Sequence, residues 1–276
     1  MSKAPVRYAV AAISDCGNKR PSNEDAFGYS AEHGVYIVCD GMGGAAAGEI
    51  ASSQAVNEVL RLLSDRAGKE DARLEDLVAE AIFAANQAIY SHAQQDANLG
   101  GMGTTLVGLV TDGTRILVFN VGDSRCYRMR LAKPSPAKAE DEPGGTEPES
   151  LEQPVPEEKP LMQVSQDHSL VAEQVRMGRM THDEALHSNY RNVITRALGT
   201  QPTVQPDIFE LEAEAGDTFL LCSDGLTGEI SDEQIESMLA ADLPLEQLCA
   251  SLVDAAKQAG GHDNITCMLV RVELVS

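Results

Sequence analysis

Short apolar runs rich in β-branched residues recur along the chain and predict β-strands. Nine such runs span residues 7–14, 34–40, 104–111, 115–121, 124–130, 161–165, 207–212, 217–222 and 264–273. A shorter aromatic run at 26–29 predicts another strand. Asp112-Gly113 separates two of the runs and is a two-residue hairpin signal, because both turn positions then take positive φ. We therefore expect the strands at 104–111 and 115–121 to pair in an antiparallel manner.

Helical periodicity occupies three of the segments between these runs. Along 74–95 the apolar residues recur every three or four positions, which is the pattern of a helix with one buried face. A second helix is predicted over 48–65, and a third begins at Leu245 and stops at Gly260-Gly261. Helices grouped between antiparallel hairpins favour an α+β layered fold over a doubly wound parallel sheet.

Residues 132–160 differ in composition from the rest of the chain. The segment holds seven of the twelve prolines and eight acidic residues, but only two large aliphatic side chains, Leu151 and Val155. Such a stretch buries too little apolar surface to offset the entropy lost on ordering, so we expect a disordered, surface-exposed loop. The flanking runs indicate one hairpin with a long insertion, because loop closure becomes costlier only slowly with length. A plain spacer and a docking or regulatory segment both fit this composition.

The bulk composition indicates a soluble globular protein of one large domain or two small ones. The chain has 276 residues, 43% of them apolar, and a formal charge of −22 at pH 7. This acidic balance opposes attraction to nucleic acid or to an anionic membrane, since both need clustered Lys and Arg. No apolar stretch reaches the roughly 18–20 residues of a membrane helix, and the N-terminal segment lacks a signal pattern. We therefore expect a cytoplasmic protein.

The six cysteines are widely separated and include no Cys-x-x-Cys pair. Several lie inside apolar runs, as Cys39 and Cys222 do. We interpret them as reduced, buried and structural, rather than as disulfide partners or zinc ligands.

Three aspartates border strongly apolar runs that are far apart in sequence. They are Asp40 in Cys-Asp-Gly-Met-Gly-Gly, Asp224 in Ser-Asp-Gly and Asp263 in Asp-Asn. Carboxylates gathered without lysines between them repel one another unless a hard cation neutralises them, so we predict a metal centre. A carboxylate followed by a glycine carbonyl, as at Asp40 and Gly41, suits Mg²⁺ or Mn²⁺. The simpler alternative is that each aspartate caps a turn or helix.

A basic side chain lies close to carboxylates just before the aromatic run. Arg20 is followed by Glu24 and Asp25. One interpretation makes Arg20 a bidentate ligand of a phosphate group, with Glu24 and Asp25 orienting metal-bound waters. The other is a surface loop with a local salt bridge.

Several motifs follow one another in a fixed order. They are Asp15-x-Gly17, Arg20-x-x-Asn23-Glu24-Asp25, Asp40-Gly41-Met42-Gly43-Gly44, Met102-Gly103-Thr104-Thr105, Val121-Gly122-Asp123-Ser124-Arg125, Asp167-His168-Ser169, Ser223-Asp224-Gly225 and Asp263-Asn264-Ile265-Thr266. Together they resemble the metal-dependent protein serine/threonine phosphatases of the PPM, or type 2C, family in their bacterial form. The resemblance covers about 7–273, apart from the acidic insertion.

The resemblance implies a four-layer α-β-β-α sandwich of two antiparallel sheets flanked by helices. It also implies a binuclear Mn²⁺ or Mg²⁺ site at one edge of the sandwich. Asp40 would bridge both cations, and the Gly41 carbonyl would bind one of them. Asp224 and Asp263 would complete the ligands of the other cation. Asp123 would hold a third, weaker cation together with Asp224.

Other residues take supporting roles under the same resemblance. Arg20 would bind the substrate phosphate, and Asp15, Glu24 and Asp25 would form a second shell around the cations. The stretch between His168 and Gly199 would be a mobile flap near the active site; an ordinary helix-loop-helix connector is the alternative.

The implied reaction needs no side-chain nucleophile. Two cations about 3.5–4 Å apart lower the pKa of a shared water, so that a hydroxide attacks phosphorus in line. Met42 stands where many eukaryotic members have a histidine that serves as general acid, and methionine cannot donate a proton. A metal-bound water is therefore the first candidate donor and His262 the second, while we interpret His168 as structural.

The leading hypothesis is a phosphatase, formed as a single catalytic domain over 1–276, that hydrolyses phosphoserine and phosphothreonine on proteins. We expect a monomer whose partners are phosphorylated protein substrates and a bacterial Ser/Thr kinase. One alternative is a catalytically inert phosphatase-like binding module that acts through its acidic linker. Another is a phosphatase specific for a phosphorylated anti-sigma antagonist, which has the same fold.

Overall fold

Two antiparallel β-sheets form the centre of the protein. The structure, a computed structural model, describes residues 6–65, 72–131 and 159–275. In chain order the strands are β1 (Val6–Asp15), β2 (Asp25–Ser30), β3 (Val35–Met42), β4 (Gly103–Thr104), β5 (Leu106–Asp112), β6 (Arg115–Val121), β7 (Arg125–Met129), β8 (Leu161–Gln163), β9 (Asp207–Glu212), β10 (Thr218–Cys222) and β11 (Ile265–Leu274). One sheet has the order β1-β11-β10-β7-β8; the other has the order β2-β3-β5-β6-β9, with β4 paired to β3.

Helices cover the outer face of each sheet. They are α1 (Ala45–Ser64), α2 (Leu74–Gln95), α3 (Leu170–Arg176), α4 (His182–Leu186), α5 (Asp224–Thr227), α6 (Asp232–Leu239) and α7 (Leu245–Ala259), with a short 3-10 helix at Ala97–Leu99. Helices α1 and α2 pack on the six-stranded sheet, and α6 and α7 pack on the five-stranded sheet. The predicted α+β sandwich of four layers is confirmed.

Three hydrophobic cores correspond to the three interfaces between layers. Alternation along β3 shows how one strand serves two of them. Ile37 and Cys39 face the helices, whereas Tyr36 and Val38 face the other sheet. All four are buried, and each large apolar side chain contributes roughly 1.5–3 kcal/mol on burial. A strand that is buried on both faces therefore has a continuous run of apolar residues, as β3 has in this sequence.

The β5–β6 hairpin forms as predicted, but its turn is one residue further along the chain. Asp112 pairs with Arg115 at the end of the ladder, so the turn residues are Gly113 and Thr114. Gly113 has φ 63°, and among the described residues only glycines have positive φ. One positive φ at the first turn position is the requirement of a type II′ turn rather than type I′. The expectation that Asp112 itself has positive φ is wrong.

The run at 104–111 is predicted as one strand but forms two, which are separated at Thr105. The backbone N–H of Thr105 donates to the carbonyl oxygen of Asp40 at 2.8 Å, and its Oγ1 accepts from the Asp40 N–H at 2.9 Å. These side-chain and backbone bonds replace the regular ladder at this position. The break between the two strands therefore allows Thr105 to hydrogen-bond the segment around Asp40.

Helix α1 also departs from its predicted start. It begins at Ala45, before the expected residue 48, and its N-cap is Gly44 with φ 90° and no side-chain cap. Helix α7 ends before Gly260, as predicted. The insertion predicted at 132–160 lies almost entirely outside the described residues. Within the part of the chain that the structure describes, no helix is long and apolar enough to cross a bilayer.

All six cysteines are free thiols, as predicted. Five are buried, and Cys16 is half-buried in the loop after β1. The expectation of burial is therefore wrong for Cys16 alone.

Candidate metal centre

Strand ends from both sheets deliver aspartates to one edge of the sandwich. Asp40 lies near the end of β3, and Asp25 faces it across the β2–β3 ladder. Asp123 follows β6, Asp224 follows β10, and Asp263 precedes β11. We call these five residues the carboxylate cluster.

Hydroxyl groups join the two sheets at this edge. Ser223 Oγ, after β10, and Thr266 Oγ1, on β11, each donate to Asp25 Oδ2 at 2.7 Å. Asp25 belongs to the other sheet, so a single carboxylate oxygen links both halves of the sandwich. The position of the cluster is therefore fixed by contacts between the sheets.

The carboxylate cluster is electrostatically unfavourable in the absence of a cation. Burial, followed by the neighbouring carboxylates Asp25, Asp224 and Asp123, raises the pKa of Asp40 well above its usual range. Burial and charged neighbours raise the pKa of Asp25 and of Asp123 to about 7. The pKa of Asp224 is also raised, first by burial and then by Asp263. Such shifts arise when like charges share a poorly solvated site.

Two fully buried oxygens of the cluster have no hydrogen-bond partner among the described residues. They are Oδ1 of Asp25 and Oδ1 of Asp123, both buried. Asp25, Asp40 and Asp224 nevertheless keep some accessible surface, so the cluster faces an opening. Buried, unpaired carboxylate oxygens at an opening are the donor set that a hard divalent cation prefers. The residues present therefore fit Mg²⁺ or Mn²⁺.

The carboxylates do not form a closed ligand set around one point. Among the described residues, no three His, Cys, Asp or Glu side chains are arranged to hold a single ion. The side chains of Asp40 and Asp224 lie close enough to share a proton, and Asp263 is bonded to Arg20. Asp40 is thus placed against Asp224 and Asp263 is paired with Arg20, whereas Oδ1 of Asp25 and Oδ1 of Asp123 remain without a partner among the described residues.

Hydroxyls of the Met102-Gly103-Thr104-Thr105 motif hold the backbone of Asp40. Thr104 Oγ1 donates to the Asp40 carbonyl at 2.9 Å, and Thr105 Oγ1 accepts from the Asp40 N–H. Thr105 Oγ1 also shares a hydrogen bond of 2.7 Å with Ser124 Oγ, next to Asp123. This chain of contacts fixes Asp40 relative to Asp123. Thr105 and Ser124 were not predicted as site residues, because their contacts are between distant segments.

Replacing Thr105 by valine is expected to destabilise the protein by about 1–3 kcal/mol, because the buried Asp40 N–H loses its partner. Urea denaturation in EDTA measures this. Thr105→Ser keeps the hydroxyl and is the control, although it loses a methyl group. Wild-type stability of Thr105→Val would show that the hydroxyl contributes nothing.

Gly41 lies in a space that admits no side chain. A Cβ at this position would meet the carbonyl oxygens of Gly48 at 2.2 Å and Glu24 at 2.5 Å. The Gly41 N–H donates to the same Glu24 carbonyl at 3.2 Å. The Ser52 hydroxyl, on α1, also donates to it. Helix α1 therefore packs directly against the Asp40-Gly41 segment.

The predicted second-shell residues take different positions. Burial raises the pKa of Glu24, and its side chain lies against Gly48. Asp15 accepts from Lys257 Nζ and from the Gly17 N–H, both at 2.8 Å, and the ion pair with Lys257 lowers its pKa. Asp15 thus fixes the loop after β1, and we find no bond between it and the carboxylate cluster among the described residues.

Asn264 organises two loops, although its sequence signal was only its place in a motif. Its Nδ2 donates to the carbonyls of Cys16 and Ser22, and its Oδ1 accepts from the Glu24 N–H at 2.8 Å. One side chain therefore fixes the segment that carries Arg20 beside the segment that carries Asp263. Arg20 Nη2 reaches Asp263 Oδ2 at 2.6 Å.

The histidines near the site are committed to other partners. His262 Nδ1 lies 2.8 Å from Glu229 Oε1, and its imidazole is 71% exposed. His168 is buried; its Nδ1 accepts from the Gly122 N–H at 3.1 Å, which is a structural contact as expected. His168 Nε2 lies 3.1 Å from Asp207 Oδ2 but outside hydrogen-bond geometry.

The predicted flap region contains α3 and α4, joined by a turn at Gly178 with φ 67°. Met177, Leu186 and Tyr190 in this region are largely exposed. A cavity of about 380 Å³ lies beside the segment 195–205, and none of its lining residues belongs to the carboxylate cluster.

Comparison with known proteins identifies the family. The family model "Protein phosphatase 2C" matches residues 17–140, and the model "Stage II sporulation protein E (SpoIIE)" matches residues 184–273. The serine/threonine phosphatase stp of Listeria monocytogenes serovar 1/2a is 34% identical over 270 residues, covering 95% of this chain and 94% of the relative. The chain belongs to the protein phosphatase 2C family. As a member it is a protein phosphatase, and hence a phosphoric monoester hydrolase.

Solved structures agree with this membership. The serine/threonine phosphatase PstP/Ppp of Mycobacterium tuberculosis has a TM-score of 0.81 and 32% identity, covering 97% of this chain and 99% of the other. The catalytic domain of PstP in complex with two manganese ions has a TM-score of 0.78 at 32% identity, with 97% and 99% coverage. The two-sheet architecture is therefore that of this family.

Proposed function

We propose that the protein is a metal-dependent phosphatase that hydrolyses phosphoserine and phosphothreonine in other proteins. The observation that carries the proposal is the carboxylate cluster. Its raised pKa values and unpaired buried oxygens favour the binding of a cation, and the guanidinium of Arg20 lies at its rim. Positive charge beside a cation site is the arrangement that binds phosphate.

We assign the cation ligands as follows. Asp40 would be a ligand of both cations, and the Gly41 carbonyl would be a further ligand of one of them. Asp224 and Asp263 would hold the other, and Asp123 with Asp224 would hold a third, weaker one. The cations are Mn²⁺ or Mg²⁺, and the support from relatives is that a PstP catalytic domain was solved in complex with two manganese ions.

When bound, the cations supply Lewis acidity toward the phosphate and a nucleophile at neutral pH. The residues of the chain position the cation ligands and the substrate phosphate for this chemistry. Thr104 and Thr105 hold Asp40 on both sides of its backbone. Arg20 offers planar donors to phosphate oxygens, and Glu24 and Asp25 orient waters from the second shell. Met42 donates no proton, and the commitment of His262 to Glu229 favours water as the donor to the leaving group.

The finer biological assignments are also proposals. Substrates are phosphorylated proteins, and the opposing enzyme is a Ser/Thr kinase, which accords with the names of two curated relatives as serine/threonine phosphatases. We further propose that the chain acts as one catalytic domain, as a monomer, in the cytoplasm.

Phosphate release from phosphoserine and phosphothreonine peptides tests the function. We expect release with Mn²⁺, complete loss in excess EDTA and recovery when Mn²⁺ is restored. A lack of hydrolysis of these peptides and of p-nitrophenyl phosphate at saturating Mn²⁺ would contradict the proposal. That result would support the inert binding module instead.

A further inference from the structure

Both oxygens of the Asp263 carboxylate already have partners in the protein. Oδ2 accepts from Arg20 Nη2 at 2.6 Å, and Oδ1 accepts from the Asn264 N–H at 2.8 Å. Among the described residues, no Lys, Arg or His side chain forms an ion pair with Asp40, Asp123 or Asp224. Of the proposed ligands, Asp263 is thus the only one that forms an ion pair with a basic side chain among the described residues.

The loop that carries Arg20 is fixed without this ion pair. The Asn18 N–H donates to the Gly261 carbonyl at 2.7 Å, and Asn18 Nδ2 donates to the carbonyls of Lys257 and Gly260. Asn264 holds the same loop at two further carbonyls. Breaking the Arg20–Asp263 pair therefore frees a side chain and leaves the loop in place.

The pair is also accessible to incoming ions. The Arg20 side chain is 49% exposed and that of Asp263 is 36% exposed. A guanidinium and a divalent cation on the same carboxylate oxygen repel each other, since both carry positive charge at short distance. A cation bound at Asp263 would therefore compete with Arg20 for Oδ2.

We propose that Arg20 occupies Asp263 only in the cation-free protein, and that cation binding takes Asp263 and releases Arg20 toward the substrate phosphate. This inference rests on the proposed function, in which Asp263 is a cation ligand and Arg20 a phosphate ligand. The exchange makes one carboxylate the link between two binding events. Linkage requires reciprocity, so phosphate held by Arg20 strengthens cation binding by the same factor that the cation strengthens phosphate binding.

The state of the Arg20 guanidinium tests the exchange directly. Arginine Nε–H signals of ¹⁵N-labelled protein are recorded in EDTA, with saturating Mg²⁺, and with Mg²⁺ plus inorganic phosphate; Arg20→Lys identifies the Arg20 signal. We expect restricted guanidinium rotation in EDTA, free rotation with Mg²⁺ and restriction again with phosphate. An Arg20 signal that Mg²⁺ leaves unchanged would overturn the inference.

Calorimetric titration with Mg²⁺ provides a second measurement. Arg20→Ala removes the competitor, so we expect Mg²⁺ to bind about two- to fivefold more tightly, the equivalent of a half-exposed ion pair. Arg7→Ala is the matched control, because Arg7 forms a 2.8 Å ion pair with Glu273 at the opposite end of β1. It removes the same charge and should leave Mg²⁺ affinity unchanged.

Equal Mg²⁺ affinity of Arg20→Ala and Arg7→Ala would also overturn the exchange. The two proposals fail separately. If the protein hydrolyses the peptide but Mg²⁺ does not change the Arg20 signal, only the exchange is contradicted. If Mg²⁺ releases Arg20 but no peptide is hydrolysed, only the proposed function is contradicted.

Discussion

Replacing Asp40 by asparagine is expected to lower phosphate release from a phosphopeptide on the order of 10³-fold. Charge stabilisation by cations in phosphoryl transfer is worth several kcal/mol, and each 1.36 kcal/mol or so is a factor of about ten in rate. Asparagine keeps the size of the side chain, and the hydrogen bonds of Asp40 to Thr104 and Thr105 are made by its backbone. The measured quantity is kcat at saturating Mn²⁺.

The same substitution is expected to stabilise the cation-free protein. The pKa of Asp40 is raised in the folded state, so its ionisation opposes folding once the pH exceeds the unfolded value of about 3.9. The neutral variant avoids this cost, and its advantage in EDTA should be small at pH 4 and larger at pH 8. A gain on the order of 1 kcal/mol would raise Tm by about 2–4 °C.

Asp112→Asn is the matched control for both measurements, because Asp112 is exposed at the far end of β5. It should change neither kcat nor the melting temperature in EDTA. If Asp40→Asn kept the wild-type kcat, Asp40 would not be a residue of the active site. A loss of stability in EDTA would contradict the expectation that burial and the neighbouring carboxylates oppose ionisation of Asp40 in the folded protein.

Replacing Gly41 by alanine is expected to destabilise the protein by about 3 kcal/mol or more and to abolish Mn²⁺-dependent activity. The added Cβ would lie 2.2 Å from the Gly48 carbonyl oxygen and 2.5 Å from that of Glu24. Both obstacles are backbone atoms, which cannot rotate away as a side chain can, so either α1 or the Asp40 segment must move. Urea denaturation in EDTA gives the stability, and phosphopeptide hydrolysis gives the activity.

Gly100→Ala provides the comparison for this substitution. Gly100 has φ −57°, and an added Cβ would meet only the Ala97 carbonyl oxygen at 3.4 Å. The variant should match the wild type or exceed it slightly in stability, because alanine reduces the entropy of the unfolded chain. If Gly41→Ala were as stable as Gly100→Ala, the inference that α1 leaves no room for a side chain at Gly41 would be wrong.

The fold was largely predictable because its strands have strong local signals. Both sheets are covered by helices, so their strands are continuous apolar runs that a sequence shows directly. The errors fall where non-local bonds decide the structure. Thr105 leaves the ladder to bond Asp40, 65 residues away in sequence. The hairpin turn lies one residue after its predicted position because Gly113, and not Asp112, has the positive φ.

The candidate site was predictable to the extent that carboxylates stand at strand ends. Antiparallel strands bring such ends to one edge, and the structure places Asp40, Asp123, Asp224 and Asp263 there. The residues that position them were not predicted. Thr105, Ser124, Ser223 and Asn264 act through single hydroxyl or amide bonds to distant segments, which leave no periodic signal in a sequence.

The proposed cation ligands come from both sheets, which has a consequence for the integrity of the chain. The segment matched by the first family model, 17–140, contains Arg20, Asp40 and Asp123, whereas the second, 184–273, contains Asp224 and Asp263. Neither segment contains all of the proposed cation ligands. If these residues hold the cations as proposed, a truncated chain lacks part of the centre, and we expect cation uptake only where both halves of the polypeptide are present.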